Sequence, residues 1–300
     1  MIAGLFAVGV GLLIAWRISR VLSQLTTAIR RLEGGNFAQR APVTGPAEVA
    51  ALARAFNALA AALQEATRRQ EETLAALDQE RTRAERLLHM ILPAPIVARL
   101  AQNQRPIADR FPAVTVLFAD IVNFTALSST LTPEATVAWL DSLFSAFDRL
   151  AAVHGVEKIK TIGDAYMAVA GLPQPRDDHA AGMADFALAL QYEIARHPAP
   201  NGEPVQLRIG LHSGAVVAGV IGTDKFIYDL WGDVVNTASR MESHGVGGQI
   251  QITEATQAHL PPAYRLEARG RIAVKGKGEM STFWLRERML PGLAVADVPA

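Results

Sequence analysis

Two carboxylates at the ends of apolar strands are the residues of this chain best placed to do chemistry. Asp120 follows the apolar run Val114–Phe118, and Asp164 follows Gly163 in a predicted two-residue turn between strands. Either aspartate alone is typical of a turn. Together they end neighbouring apolar strands, where unpaired charges repel one another and are costly. We therefore expect Asp120 and Asp164 to share a pair of divalent metal ions.

Candidate phosphate-binding groups lie at two other places. The chain beyond Asp120 turns into a predicted helix that begins near Phe124 and Thr125, and the N–H groups of a helix start suit phosphate. Lys275 lies in the flexible basic loop 274–278. The glycine-rich run over 210–222 lacks the spacing of a P-loop and fits a tight pair of strands better.

A predicted helix beginning at Gly232-Asp233 carries two polar residues on one face. Asn236 and Arg240 are four residues apart, which brings them to the same side of the helix. Asp229 precedes this helix, and Lys160 lies on the strand that leads to Asp164. These positions add an amide, a guanidinium and an opposite-charge pair to the candidate site.

Four runs of sequence carry these residues, and together they resemble the catalytic domain of the class III adenylate cyclases. The runs are FADIVNFT, EKIKTIGDAYMAVAG, LRIGLHSG and YDLWGDVVNTASRME, and the resemblance extends over about 111–284. It implies a catalytic domain of α+β fold. The predicted order of elements, strand, helices, hairpin, helix and strand, is itself that of a ferredoxin-like fold.

The resemblance also implies a role for each candidate residue, a cofactor and a partner. It implies two Mg²⁺ or Mn²⁺ ions per active site, ATP as the substrate, and composite sites shared by the two chains of a homodimer. The implied roles are metal binding by Asp120, Asp164 and the carbonyl of Ile121, adenine recognition by Lys160 and Asp229, positioning of the ribose by Asn236, stabilisation of the transition state by Arg240, and binding of the terminal phosphate by Lys275.

Two other functions are alternatives to an adenylate cyclase. A catalytically silent relay module with the same fold would tolerate the loss of residues such as Asp120 or Arg240, and this chain retains the whole set. A guanylate cyclase would need groups that match guanine, whose N1–H leaves Lys160 without an acceptor. A buried mismatch of that kind is costly, so we expect ATP rather than GTP.

The segment upstream of the catalytic domain predicts helices that pair with a second copy. Apolar residues step by four and three from Ile18 to Leu32 and from Val49 to Leu63, with a connector through Pro42 and Pro46. Two such helices resemble a HAMP domain over 17–66, a dimeric signal-relay module. A signalling helix and linker over 67–110 follow, and the helix continues the pattern with a stutter near Thr67, either as a weak coiled-coil switch or as an ordinary charged linker.

The first sixteen residues are apolar and are followed at once by arginines. That pattern predicts the end of a membrane helix over 1–16, with the HAMP and catalytic domains on the cytoplasmic side of the inner membrane; the alternative is a buried N-terminal helix. The catalytic domain is expected over 111–290 and a tail over 291–300. A formal net charge of +0 gives no case for a nucleic-acid partner, and the chain has no cysteine to form a disulfide.

The sequence also predicts the strands and helices of the catalytic domain. They are strands over 114–119, 205–212, 215–220, 249–252, 271–274 and 282–286, a hairpin over 156–170, and helices over 123–130, 133–153, 178–196 and 233–243.

Overall fold

The computed structural model describes residues 2–289, so the predicted tail over 291–300 lies outside the described residues. The chain divides into two compact units, Met1–Met90 and Ile91–Ala300. The first unit is built from two long helices, and the second from a mixed sheet covered by helices on both faces.

The sheet of the second unit runs in the order β2-β3-β1-β4-β6-β8-β7, with β5 paired to β4. Strands β1 to β4 alternate in direction as β2-β3-β1-β4, which is the predicted ferredoxin-like arrangement. The strand bounds are β1 Ala108–Ile121, β2 Glu157–Ile162, β3 Ala165–Ala170, β4 Leu207–Ile221, β5 Ile227–Trp231, β6 Ile250–Thr253, β7 Tyr264–Val274 and β8 Gly278–Arg288.

Helices cover the two faces of this sheet and give it two hydrophobic cores. One core packs α5 and α6 around Leu117, Tyr166 and Phe186; the other packs α3 and α7 around Val116 and Val234. Because β1 and β4 are central strands with both faces covered, their apolar runs are nearly continuous. The helix bounds are α3 Ala94–Ala101, α4 Phe124–Ser128, α5 Pro133–His154, α6 His179–Ile194, α7 Asp233–Ser243 and α8 Glu254–Gln257.

Several predicted bounds in the second unit were wrong. The expected pair of strands over 205–220 is the single strand β4, and β5 was not predicted at all. Gly214 does not mark a turn: a Cβ there would lie 2.7 Å from Cγ2 of Val234, so the glycine allows α7 to pack closely on β4. Helix α4 ends at Ser128 because the hydroxyl of Ser129 and its neighbours bond to backbone carbonyls there.

The first unit consists of α1, Ile2–Glu33, and α2, Ala47–His89, joined by a connector. Its small core is formed by Leu25, Ala28, Ala41, Ala53, Phe56 and Ala60. The side chain of Asn57 fixes the connector, since it accepts from the N–H of Ala41 at 2.7 Å and donates to its carbonyl at 2.9 Å. Leu22, Ile29, Leu52 and Leu59 belong to the predicted seams and are exposed, so they remain available to a second copy.

No helix within residues 2–289 is both long enough and apolar enough to cross a membrane. The predicted membrane helix over 1–16 is not supported by this result.

Candidate active site

The two aspartates predicted to bind metal are brought together at one end of the sheet. Asp120 is the penultimate residue of β1, and Asp164 lies in the turn between β2 and β3, where Gly163 adopts φ +62°. Strand β3 lies between β2 and β1. Burial, the charge of Asp164 and then the charge of Glu242 raise the pKa of the Asp120 carboxyl to about 6. The two carboxylates therefore interact, as predicted.

An arginine on the neighbouring strand joins Asp120 to a second acid. Arg208 lies opposite Asp120 in the β1–β4 register. Its Nη2 donates to Oδ2 of Asp120 at 2.9 Å, and its Nε donates to Oε1 of Glu242 at 2.5 Å. We call Asp120, Asp164, Arg208 and Glu242 the carboxylate cluster. The cluster holds three acids and one guanidinium, which contacts Asp120 and Glu242, so its formal charge is negative.

Close packing of α7 on β4 places Glu242 in this cluster. A Cβ at Gly210 would lie 2.0 Å from the backbone N of Glu242, so only glycine lets the helix approach the strand at this point. Glu242 is buried, and burial raises the pKa of its carboxyl while Arg208 lowers it. The last turn of α7 is therefore fixed beside the end of β1.

The side chains of the two residues predicted to recognise adenine form an ion pair. Lys160 lies on β2 and Asp229 on β5, and the Lys160 ammonium donates to Oδ2 of Asp229. Oδ1 of Asp229 also accepts from the N–H of Leu230 at 2.9 Å. The side chain of Lys160 is 37% exposed, so the pair can be reached by a ligand. We call Lys160 and Asp229 the lysine–aspartate pair.

Helix α7 presents the predicted amide and guanidinium beside the basic loop. Asn236 is exposed and Arg240 half-buried. A Cβ at Gly276 would lie 3.8 Å from Nη1 of Arg240, so this guanidinium lies next to the turn that carries the exposed Lys275. Lys277 in the same turn forms an ion pair with Asp233 at the start of α7.

The remaining predicted residues lie on the segment that follows Asp120. The side chain of Ile121 is buried and its residue pairs with Leu207 of β4. Phe124 begins α4 and is half-buried, while Thr125 is exposed. The residue before the helix, Asn123, adopts a left-handed conformation with φ 60°.

The chemistry of the donor set fits a divalent cation of the Mg²⁺ type. Asp120 and Asp164 offer hard oxygen ligands, and their mutual repulsion would be relieved by a cation. Nowhere in residues 2–289 do three or more His, Cys, Asp or Glu side chains form a group that could hold a metal by themselves. Two carboxylates suit Mg²⁺, which keeps waters and substrate phosphates as its other ligands.

Three residues of this region were missed by the sequence reasoning. Arg208 and Glu242 lie within the quoted runs LRIGLHSG and YDLWGDVVNTASRME, and Lys277 lies in the basic loop. The N-cap residue of α7 is Gly232, and Asp233 in its first turn pairs with Lys277.

Comparison with known protein families decides what this arrangement is. Residues 107–287 match the family described as the adenylate and guanylate cyclase catalytic domain. The chain belongs to this family. Residues 13–65 match the HAMP domain. The predictions of a class III cyclase domain and of a HAMP domain before it are thereby confirmed.

Named relatives include cyclases of both nucleotides. An adenylate cyclase of Mycobacterium bovis and Mycobacterium tuberculosis is 50% identical over 212 residues, which cover 70% of this chain and 48% of that protein. The chain therefore spans about half the length of this curated relative. The guanylate cyclase domain from Catenaria anguillulae in complex with GTP is 40% identical, with a TM-score of 0.59 over 60% of this chain and 99% of that one.

A further solved relative is a dimer. The guanylyl cyclase domain of a fusion protein from Blastocladiella emersonii, described as a non-canonical dimer, is 38% identical, with a TM-score of 0.57 over 60% of this chain and 99% of that chain. At these identities the cyclase fold of the second unit is established, and the nucleotide it uses has to be argued from its own residues.

Proposed function

We propose that this protein is an adenylate cyclase that converts ATP to 3′,5′-cyclic AMP and pyrophosphate. The lysine–aspartate pair carries this choice of nucleotide. Adenine offers an acceptor at N1 and a donor amine at N6, so it needs one donor and one acceptor from the protein. The Lys160 ammonium on β2 and the Asp229 carboxylate on β5 supply them. The mycobacterial relative named adenylate cyclase supports the same substrate.

Guanine fits this pair less well. It presents O6 as an acceptor and N1–H as a donor, so in the position of adenine Lys160 would face the N1–H donor and Asp229 would face the O6 acceptor. A site that leaves buried polar groups unmatched can reject a substrate by several orders of magnitude. The pair is formally neutral, which also suits an uncharged base.

We further propose that Asp120, Asp164 and the carbonyl of Ile121 hold two Mg²⁺ or Mn²⁺ ions. Such ions lower the pKa of the ribose 3′-hydroxyl and neutralise the triphosphate. The protein residues have separate tasks. Asn236 orients the ribose, Arg240 donates to the α-phosphate as its charge grows, and Lys275 holds the terminal phosphate. One such contact to a transition state is typically worth about 3–4 kcal/mol.

The geometry of α7 supports composite sites in a homodimer. At about 100° per residue, Asn236 and Arg240 lie within about 40° of each other around the helix, whereas Glu242 lies about 200° from Arg240. Glu242 faces Asp120 of its own chain through Arg208. Arg240 therefore faces away from the aspartates of its own chain, and we propose that it serves those of a second copy.

A direct assay tests the nucleotide assignment. The full-length protein is incubated with ATP or GTP in the presence of Mg²⁺ or Mn²⁺, and the cyclic nucleotides are separated and quantified. We expect cyclic AMP from ATP, with kcat/KM for ATP at least about 100-fold above that for GTP. Preferential formation of cyclic GTP would make the protein a guanylate cyclase. If neither nucleotide gave a product, the protein would be the catalytically silent relay module instead.

We propose that the HAMP domain and the remainder of α2 control the catalytic domain. The exposed leucines of α1 and α2 support a parallel dimer in this unit. Inserting one to seven residues between Leu63 and Leu88 should change cyclase activity with the period of the helix. If activity did not depend on the helical phase, this segment would be an ordinary charged linker.

The inner-membrane location remains a prediction from residues 1–16. Separation of membrane and soluble fractions tests it.

A further inference from the structure

Glu242 is a buried acid that no step of the proposed reaction uses. Its side chain is 10% exposed and it holds Nε of Arg208, whose Nη2 contacts Asp120. We propose that Glu242 is a positioning residue: it draws part of the Arg208 guanidinium to itself and so keeps Asp120 available to a divalent cation. This inference rests on the metal site of the proposed function.

The position of Arg208 is fixed along its whole length. A Cβ at Gly245 would lie 2.9 Å from Cγ of Arg208, so the absence of a side chain there makes room for the aliphatic stem. The guanidinium then meets a carboxylate on each side, Glu242 from α7 and Asp120 from β1. Only a planar group with several donors can serve two acids from one position.

The balance of charge explains why the second acid matters. A guanidinium facing Asp120 alone would form a bidentate ion pair, which is among the stronger contacts between side chains. A metal ion would then have to break this ion pair before Asp120 could bind the metal. With Glu242 present, the contact to Asp120 uses one nitrogen, and the pull of the second carboxylate opposes a closer approach.

Glu242→Gln tests this role because it removes the charge and keeps the shape. The dissociation constant for Mn²⁺ alone is measured on the full chain by the loss of the electron paramagnetic resonance signal of free Mn²⁺. Residues behind metal ligands typically change affinity by about 10- to 100-fold when substituted, so we expect binding at least about 10-fold weaker. Where binding is weak, the activation constant for Mn²⁺ at saturating ATP gives the same comparison.

The same substitution in an Arg208→Gln background separates positioning from a general effect. Because Glu242 acts through Arg208, its removal there should weaken Mn²⁺ binding by less than about threefold, as a coupled pair requires. Glu193→Gln is the matched control, since Glu193 near the end of α6 is a mostly buried acid paired with Arg196, which lies just beyond that helix. It should leave Mn²⁺ affinity unchanged.

Two results would overturn the inference: unchanged Mn²⁺ affinity in Glu242→Gln, or an equal loss with and without Arg208. Thermal unfolding of each variant shows whether it folds. Should Glu242→Gln fail to fold, Arg208→Lys replaces it, because a lysine keeps the charge but cannot hold both acids. It should weaken Mn²⁺ binding as well, and unchanged affinity there would equally reject the role. Wild-type turnover of ATP is measured separately, so failure of the cyclase assignment is distinguishable.

Discussion

The carboxylate cluster and the lysine–aspartate pair are two ways of placing charged side chains at one sheet. In the cluster, Asp120, Asp164 and Glu242 are accompanied by the single cation Arg208, which contacts Asp120 and Glu242. In the pair, one ammonium meets one carboxylate. The first arrangement keeps an excess of negative charge and the second is balanced.

This difference matches the chemistry that each region would perform. An excess of negative charge in a partly buried place is unfavourable until a cation arrives, so the cluster is built to gain most from a divalent metal. A balanced pair loses little without a ligand and presents one donor and one acceptor, which suits an uncharged purine. Substitutions in the two regions should therefore fail in different ways.

The largest effect is expected from Asp120→Ala, which removes a metal ligand from the cluster. Cyclase activity should fall by at least about 10³-fold, and Arg240→Ala should be similarly inactive because it removes stabilisation of the transition state. Mixing the two inactive proteins should restore activity, since one site of a mixed dimer then keeps every group.

This experiment requires evidence that the two variants exchange subunits and form mixed dimers. Two affinity tags on the two variants allow the mixed dimers to be isolated before the assay. About a quarter of the wild-type activity is expected from an equal mixture, because half of the dimers are mixed and each has one intact site. Purified mixed dimers without activity would reject the composite site.

The next effect is expected from Lys160→Ala, which breaks the balanced pair. The kcat/KM for ATP should fall by about 10- to 100-fold, because Asp229 then accepts from adenine alone and is itself left without its partner. Affinity for Mn²⁺ should not change. Lys158→Ala is the matched control, since Lys158 lies on the same strand and pairs with Asp148 at 2.8 Å. Equal losses in both variants would show that the strand, and not the pair, was damaged.

The proximity of Asp120 and Asp164 could be predicted because it follows from local sequence patterns. An apolar run ends at the first, and a Gly-Asp turn between two strands holds the second, so the topology of a ferredoxin-like sheet brings them together. Arg208 and Glu242 carried no such local signal. They lie 88 and 34 residues from their contact partners, Asp120 and Arg208 respectively, and only the packing of α7 on β4 joins them.

Glycine was the main source of error in the predicted elements. Gly214 suggested a break between two strands, yet it lies inside β4, as Gly210 does, and at both positions a Cβ would collide with α7. Close approach and turn formation require the same residue, and a single sequence does not distinguish them. The short β5 was missed because five residues containing Asp229 offer little alternation.

In the helical unit the spacing predicted the helices but not which residues they bury. Leu25 lies between α1 and α2, whereas Leu22 and Ile29 of the same predicted seam are exposed. A seam drawn from steps of four and three covers two neighbouring faces of a helix, one of which packs on the other helix of the same chain while the other stays exposed.

The smallest effect concerns pH and separates the cluster from the rest of the protein. Because burial and neighbouring acids raise the pKa of Asp120 from 3.8 to about 6, the folded metal-free protein binds a proton there more tightly than the unfolded chain. Asp120 therefore favours folding when protonated, and that contribution is lost as the pH rises from about 4 through about 6. In metal-free protein, Asp120→Asn should remove this loss.

The measurement is the difference in Tm between Asp120→Asn and wild type at several pH values, with a chelator present. A partly exposed carboxyl with this change in pKa is worth at most about 2 kcal/mol over the whole pH range. About half of this is lost between pH 5 and pH 7.5, so the difference should grow by roughly 2–4 °C. His212, whose pKa is lowered to about 4 by burial, changes stability in the opposite direction but equally in both proteins, so it cancels. A difference in Tm independent of pH would mean that Asp120 lies among balanced charges, and the contrast with the lysine–aspartate pair would be lost.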